Sequence, residues 1–390
     1  MIKGNFPIDK FRQIQTPFYY YDLDLLRETL AKVNKCTQSH PFQVHYAMKA
    51  NVNPSVLREI KNAGLGADCV SGGEVQAAMD AGFSASKIVF AGVGKADWEI
   101  NLALDNDIFC FNVESVPELE VINELAAAKG KTAQVALRIN PNVDAHTHHN
   151  ITTGLNENKF GINMEDIDKV TAILPSLRNV NLIGIHFHVG SQITDMTVFH
   201  NLCVRFQEIQ ETFDRKNISF EHINFGGGLG INYEHPNHFS VPEFESYFKT
   251  YIEHLELRPG QTLHFELGRS IVAQCGTLIS RVLYVKEGST KKFVIVDAGF
   301  TDLIRPALYE AFHRIENLTS DRAEEVYDVV GPICESSDVF IKNWRMNGAK
   351  RGDLLAFRSA GAYGEIMASQ YNLRALPKGY TSEQLHSITN

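Results

Sequence analysis

The 390-residue chain has no apolar run approaching the roughly 18 residues of a membrane span. Its first seventeen residues, MIKGNFPIDKFRQIQTP, lack the apolar stretch of a secretory signal, so no signal peptide is expected. Basic residues are in deficit: 37 Lys and Arg stand against 46 Asp and Glu, a net charge of −9. That balance disfavours a nucleic-acid partner, because phosphate backbones demand a basic face. Cysteine is sparse, and the six (36, 69, 110, 203, 275 and 334) show no close pairing. They read as reduced thiols of a cytoplasmic protein. Low-complexity segments and obvious flexible linkers are missing. No G-x-G-x-x-G follows the first apolar run, which weakens an open, doubly wound dinucleotide-binding sheet as the architecture.

What is present is ordinary in amount and regular in pattern. Hydrophobic residues make up 44% and charged residues 21%, as in globular proteins. The length suits two domains, or one large barrel with an addition. Eight short apolar runs follow one another: 44–49, 66–71, 88–93, 108–113, 134–140, 182–190, 222–228 and 262–267. Their nearly unbroken apolar character suits parallel strands covered on both faces. Helix-like stretches such as 54–63, 114–129 and 197–213 lie between them. Eight such units predict a (β/α)8 TIM barrel over residues 25–267.

After residue 270 the pattern changes to strand-like runs separated by turns, including LISRVLYVKEG, KKFVIVDAG, AEEVYDVVGP and DLLAFRSAGAY. These predict an all-β domain over 268–390. The strand-like TPFYYYD at 16–22 is expected to pair with it, so that residues 1–24 join that domain.

Barrel active sites lie at the C-terminal ends of the strands. Read in order, those ends are Lys49, Ser71, Gly92, Asn112, Asn140, His188, Gly228 and Glu266. Gly226-Gly227-Gly228 and Arg269 fall after strands seven and eight, where barrels usually bind phosphate. A lysine, a glycine turn with an arginine, and a carboxylate three residues before that arginine are the parts needed to hold pyridoxal phosphate. Lysine can condense with its aldehyde. Backbone N–H groups and arginine hold its phosphate. The carboxylate keeps its ring nitrogen protonated. Condensation needs a neutral amine, which burial and cationic neighbours would favour at Lys49.

Other residues leave alternatives open. His186 and His188 share one strand face. His188 is expected to stack on the cofactor ring and His186 to be structural; a zinc pair is the competing reading. His146, His148 and His149 look metal-like but have no Asp, Glu or Cys at ligand spacing, so no metal is expected. In the β domain, DLIRPALY puts Arg305 and Tyr309 four apart, on one face if helical. GPICESSD sets Cys334 beside Glu335, and AGAYG sets Tyr363 among glycines. Taken alone, Cys334 reads as a small buried hydrophobe and Arg305 as half of a surface ion pair.

With these motifs assembled, the chain resembles the fold-type III pyridoxal-phosphate decarboxylases over nearly its whole length. The motifs are YAMKAN, GADCVSGGE, FNVES, RINPNVDAHTH, TGLNENKFGI, HFHVGSQ, GGGLGINY, ELGR, DLIRPALY, GPICESSD and AGAYG. They match best the branch that converts meso-2,6-diaminopimelate to L-lysine and carbon dioxide, the last step of bacterial lysine synthesis. The resemblance implies that Lys49, His188, Ser191, Gly228, Glu266, Gly268, Arg269 and Tyr363 bind the cofactor. It implies that Arg269, Arg305, Tyr309, Glu335 and Tyr363 bind substrate and that Cys334 donates a proton. It also implies a homodimer in which Cys334 and Glu335 reach the partner's site. Arg305 and Tyr309 suit a distal carboxylate, and Glu335 a distal ammonium. A related decarboxylase of ornithine, arginine or carboxynorspermidine is the alternative. Leu267, usually proline, and Phe300, often methionine, depart from the family pattern; both bear only on local backbone.

Overall fold

The computed structural model describes residues 6–143, 159–237 and 243–387. The strand β1 (Phe18–Tyr21) precedes eight strands: β2 (Phe42–Ala47), β3 (Gly66–Cys69), β4 (Ile88–Phe90), β5 (Cys110–Val113), β6 (Ala133–Arg138), β7 (Val180–His186), β8 (His222–Asn224) and β9 (Thr262–Leu267). These eight close into a parallel barrel in sequence order, as the eight apolar runs predicted. Closure is made by β9 against β2, with Phe42 opposite Leu263 and Tyr46 opposite Leu267. Every residue of β3, β4 and β5 is buried. That two-sided burial is why the runs read as continuous rather than alternating.

Helix starts between the strands are set by capping. Ser71, a strand-end residue in the sequence, is the N-cap of the helix Gly72–Asp80, and its Oγ accepts from the Glu74 N–H. Ser115 caps Val116–Ala128 and Asp195 caps Met196–Asp214 in the same way. Each satisfies one backbone donor that the first turn leaves free. Among the described residues no helix is long and apolar enough to cross a membrane.

The remaining strands are β10 (Gly276–Glu287), β11 (Lys292–Val296), β12 (Ile315–Asn317), β13 (Glu324–Val330), β14 (Val339–Asn347), β15 (Leu354–Phe357) and β16 (Lys378–Thr381). Six form a sheet in the order β12-β15-β10-β11-β13-β14, and β1 and β16 extend it from β10. The expected pairing of the N-terminal strand is found: β1 runs antiparallel to β10, with Phe18 opposite Ile279. Its alternation links two layers. Tyr19 and Tyr21 pack into the main core that includes the barrel. Phe18 and Tyr20 pack on the other face with Phe11, Ile279 and Leu354.

Candidate active site

Three expected positions sit just beyond the strand ends. Lys49 lies in a single 3-10 turn, Met48–Ala50, after β2, and His188 and Gly228 lie two and four residues past β7 and β8. The Lys49 turn is tied to the second sheet. Tyr363 N–H donates to the Ala50 carbonyl at 2.8 Å, and Asn51 Nδ2 donates to the Gly361 carbonyl at 2.8 Å. Tyr363, at φ +56°, is held in the left-handed region by that loop. A small cavity of about 40 Å³ opens there, and its walls include Lys49, His188, Ser191, Gly228, Glu266, Gly268, Arg269 and Tyr363, all eight expected cofactor-binding residues.

Glu266 is buried at one end of this cavity and its carboxylate is held from three strands. Oε1 accepts from Asn112 Nδ2 at 3.0 Å and from Asn224 Nδ2 at 2.7 Å. Oε2 lies 3.0 Å from His186 Nε2. Burial alone would raise the Glu266 pKa, but His186, His188 and His45 outweigh it and hold the carboxyl below its ordinary range. Asp68, also lining the cavity, is pushed the other way, by burial and by Glu266. Glu266 is therefore the more acidic carboxyl of the pair and Asp68 the less acidic. His186, expected to be structural, is a support of this carboxylate, and Asn224 was not singled out in the sequence at all. The two histidines take separate partners, since His188 Nδ1 accepts from the Gly227 N–H at 3.2 Å. That bond puts the His188 proton on Nε2. Burial, then Lys49 and Arg138, drive His188 well below its ordinary pKa, so the ring is neutral.

Lys49 departs from expectation. Burial lowers its pKa, as foreseen, but Tyr363, Asp68 and Glu266 outweigh burial, and the amine sits above its ordinary value. The acidic neighbours win over the cationic ones, so the resting group is an ammonium.

Also in the cavity wall, Arg269 donates from Nη2 to Ser191 Oγ at 3.0 Å and from Nη1 to Tyr233 Oη at 2.6 Å. Its Nε is buried without a hydrogen-bond partner. Gly228, at φ +113°, lines the cavity, and a Cβ there would come within 2.9 Å of the Gly190 carbonyl. A Cβ on Gly227 would lie 1.9 Å from the Glu266 carbonyl oxygen, so this residue must be glycine for β8 and β9 to meet. Arg305 and Tyr309 bound a short helix, one turn apart as expected. Arg305 is buried rather than a surface ion-pair partner. Its Nη1 donates to His313 Nε2 at 2.8 Å. Tyr233, whose ring carries both arginines, was missed: a tyrosine beyond a glycine turn has no local signature.

Cys334 and Glu335 are not brought to the cavity of their own chain. Both are exposed, so Cys334 is not a buried hydrophobe. The Cys334 N–H donates to Asn372 Oδ1, and Glu335 Oε1 accepts from Tyr371 Oη at 2.5 Å. Phe300 stacks on Tyr371 at 6.0 Å, so this departure supports the Glu335 loop. Leu267, the other, is a buried end of β9 opposite Tyr46. His146, His148 and His149, with parts of two motifs, lie outside the described residues.

The donor set fits pyridoxal phosphate. The free Nε of Arg269, Ser191 and the Gly228 turn suit a phosphate at one end, and ionised Glu266 suits a protonated ring nitrogen at the other. Lys49 and the neutral His188 ring line the space between.

The family model for the pyridoxal binding domain of pyridoxal-dependent decarboxylases matches residues 23–273. A diaminopimelate decarboxylase of Bacteroides thetaiotaomicron is 66% identical over 385 residues, 98% of this chain and 100% of that protein. One from Neisseria meningitidis serogroup B is 43% identical, covering 92% of this chain and 86% of that one. The crystal structure of diaminopimelate decarboxylase from Helicobacter pylori complexed with L-lysine superposes with a TM-score of 0.90 at 38% identity, over 96% of this chain and 93% of that one. The strand-end lysine, the glycine turn and the ELGR carboxylate are thus explained together: the chain belongs to the pyridoxal-dependent decarboxylases, in the diaminopimelate decarboxylase family.

Proposed function

We propose that the protein removes one carboxylate of meso-2,6-diaminopimelate as carbon dioxide and leaves L-lysine. The observation that carries this reading is the buried Arg305 guanidinium, which shares the Tyr233 ring with Arg269. A substrate with only a distal amine gives a buried arginine nothing to neutralise, whereas a second carboxylate does. That observation favours diaminopimelate over ornithine, arginine or carboxynorspermidine.

When bound, pyridoxal phosphate supplies an aldehyde for attachment to amines and a ring that accepts the electrons of the broken carbon–carboxylate bond. Lys49 is the attachment group. Glu266 holds a proton on the ring nitrogen. Asn112, Asn224 and His186 orient the carboxylate through hydrogen bonds. His188 presents a flat neutral face, Ser191, Gly228 and Arg269 would hold the phosphate, and Gly268 would border the cofactor. Arg305 and Tyr309 would take the distal carboxylate, and Tyr363 would contact both cofactor and substrate.

Cys334 and Glu335 act on the partner subunit's site in a homodimer, Glu335 on the distal ammonium and Cys334 as the acid that returns a proton to the α-carbon. Their exposure, away from the cavity of their own chain, supports this arrangement. The cofactor-binding barrel is taken as residues 25–267, and residues 1–24 with 268–390 as the domain that adds substrate and interface groups. Six unpaired cysteines support a cytoplasmic location. The test is carbon dioxide release from meso-diaminopimelate by the pyridoxal-phosphate-loaded protein, against ornithine and arginine. Faster release from either of those would overturn the substrate assignment.

A further inference from the structure

Arg269 and Arg305 are like charges placed on one aromatic ring. The guanidinium carbons lie 5.9 Å and 5.1 Å from the Tyr233 ring centroid. Arg269 Nη1 donates to the phenol oxygen at 2.6 Å; Arg305 also interacts with that oxygen, but its short bond runs from Nη1 to His313 Nε2, at 2.8 Å. His313 Nδ1 in turn faces the Arg358 carbonyl at 2.9 Å. A carbonyl only accepts, so His313 Nδ1 carries the proton and Nε2 is the acceptor for Arg305. Tyr233 is itself fixed. Gln192 pairs with both backbone groups of Ile231, donating to its carbonyl at 2.6 Å and accepting from its N–H at 3.2 Å. Ser191, next to Gln192, holds the other terminal nitrogen of Arg269.

We propose that Tyr233 is a positioning residue for substrate selection, its hydroxyl fixing Arg269 for the cofactor phosphate and its ring face fixing Arg305 for the distal carboxylate. The inference rests on the diaminopimelate reading above. A ring accepts cations on its face through its quadrupole, and a hydroxyl accepts through a lone pair. One side chain therefore gives two neighbouring arginines different anchors. Without it, two buried guanidiniums would repel, and either could take the carboxylate of the substrate or the phosphate of the cofactor.

Two substitutions separate the roles. Tyr233→Phe keeps the ring and loses the oxygen. Tyr233→Met fills similar space with neither, and Tyr233→Leu repeats it should the first not fold. The probes are pyridoxal phosphate itself and two inhibitors of the loaded enzyme: L-lysine, which retains a carboxylate at its far end, and 1,5-diaminopentane, which is the same chain without it. Tyr233→Phe should raise the Kd for pyridoxal phosphate about fivefold while the preference for L-lysine over diaminopentane stays within twofold. Tyr233→Met should cut that preference about tenfold and raise KM for meso-diaminopimelate more than it lowers kcat. Unchanged cofactor affinity in Tyr233→Phe, or full preference for L-lysine in Tyr233→Met and Tyr233→Leu, would overturn the proposal alone. Wild-type enzyme that bound both amines equally would overturn the substrate reading and the proposal with it.

Discussion

His186 Nε2 stands 3.0 Å from Glu266 Oε2, both groups buried inside the barrel and contributed by strands β7 and β9. The other imidazole nitrogen has no hydrogen-bond partner. Nε2 therefore carries the proton that faces Glu266, since a carboxylate oxygen only accepts. Glu266 keeps its full charge for a ring nitrogen. Glu266→Gln should fold and retain cofactor yet slow the chemical step by roughly two to three decades, the usual worth of about 3–4 kcal/mol of such stabilisation. Single-turnover rates check this, and a rate equal to wild type would refute the role.

Lys49→Ala should lose nearly all turnover, and borohydride should no longer fix cofactor to the chain. Acidic neighbours hold Lys49 as an ammonium, so attachment requires a proton to leave first. The rate at which cofactor-free protein takes up pyridoxal phosphate should therefore climb with pH between 6 and 8. A flat profile, or borohydride trapping at a different lysine, would show that Lys49 is not the attachment group.

Arg305→Ala should lower kcat/KM for meso-diaminopimelate by about 3 kcal/mol, on the order of 150-fold, because a carboxylate in a dry site is left unpaired. Pyridoxal phosphate binding should barely change. Equal losses in both measurements would mean that Arg305 is structural.

A positioned thiol can act as a general acid toward a carbanion, the role proposed for Cys334. Cys334→Ala should retain the spectrum of bound cofactor while losing lysine production. Mixing inactive Lys49→Ala and Cys334→Ala proteins should restore about a quarter of wild-type sites once chains exchange at random, since a mixed dimer holds one intact site and one doubly defective. No recovery after demonstrated exchange would confine Cys334 to its own chain.

Acid should destabilise the fold through buried histidines. Burial lowers the pKa of His45 to about 4 and of His222 and His313 to about 3, with Arg305 and Arg269 adding to the shift at His313. Unfolded histidine titrates near 6.5, so between pH 6.5 and about 4 the unfolded chain binds more protons than the folded one. Stability then falls as pH falls, by up to about 1.4 kcal/mol per pH unit for each histidine. Neither nitrogen of His222 has a hydrogen-bond partner, so His222→Phe removes a titrating group without breaking a bond. Its acid midpoint, followed by near-ultraviolet circular dichroism, should move to lower pH; an unmoved midpoint would exclude His222 from the acid transition.

Much of this molecule is written along the chain. Eight two-sided apolar runs with capped helices between them admit few arrangements besides a closed parallel barrel, and closure then sends every strand end to one rim. Lys49, Gly228, Glu266 and Arg269 could be picked out because each stands at such an end, and TPFYYYD could be assigned to a sheet because its aromatic run is strand-like. The rest depended on packing. Asn112, His186 and Asn224 come from three different strands and meet on one carboxylate only after β9 closes on β2. Tyr233 meets Arg269 and Arg305 only because the segment after the glycine turn packs against a helix that follows β11. The charge of Lys49 was misjudged for the same reason. Burial is readable from an apolar strand, but a pKa is decided by which charges lie within a few ångströms, and that distance exists only in the folded chain.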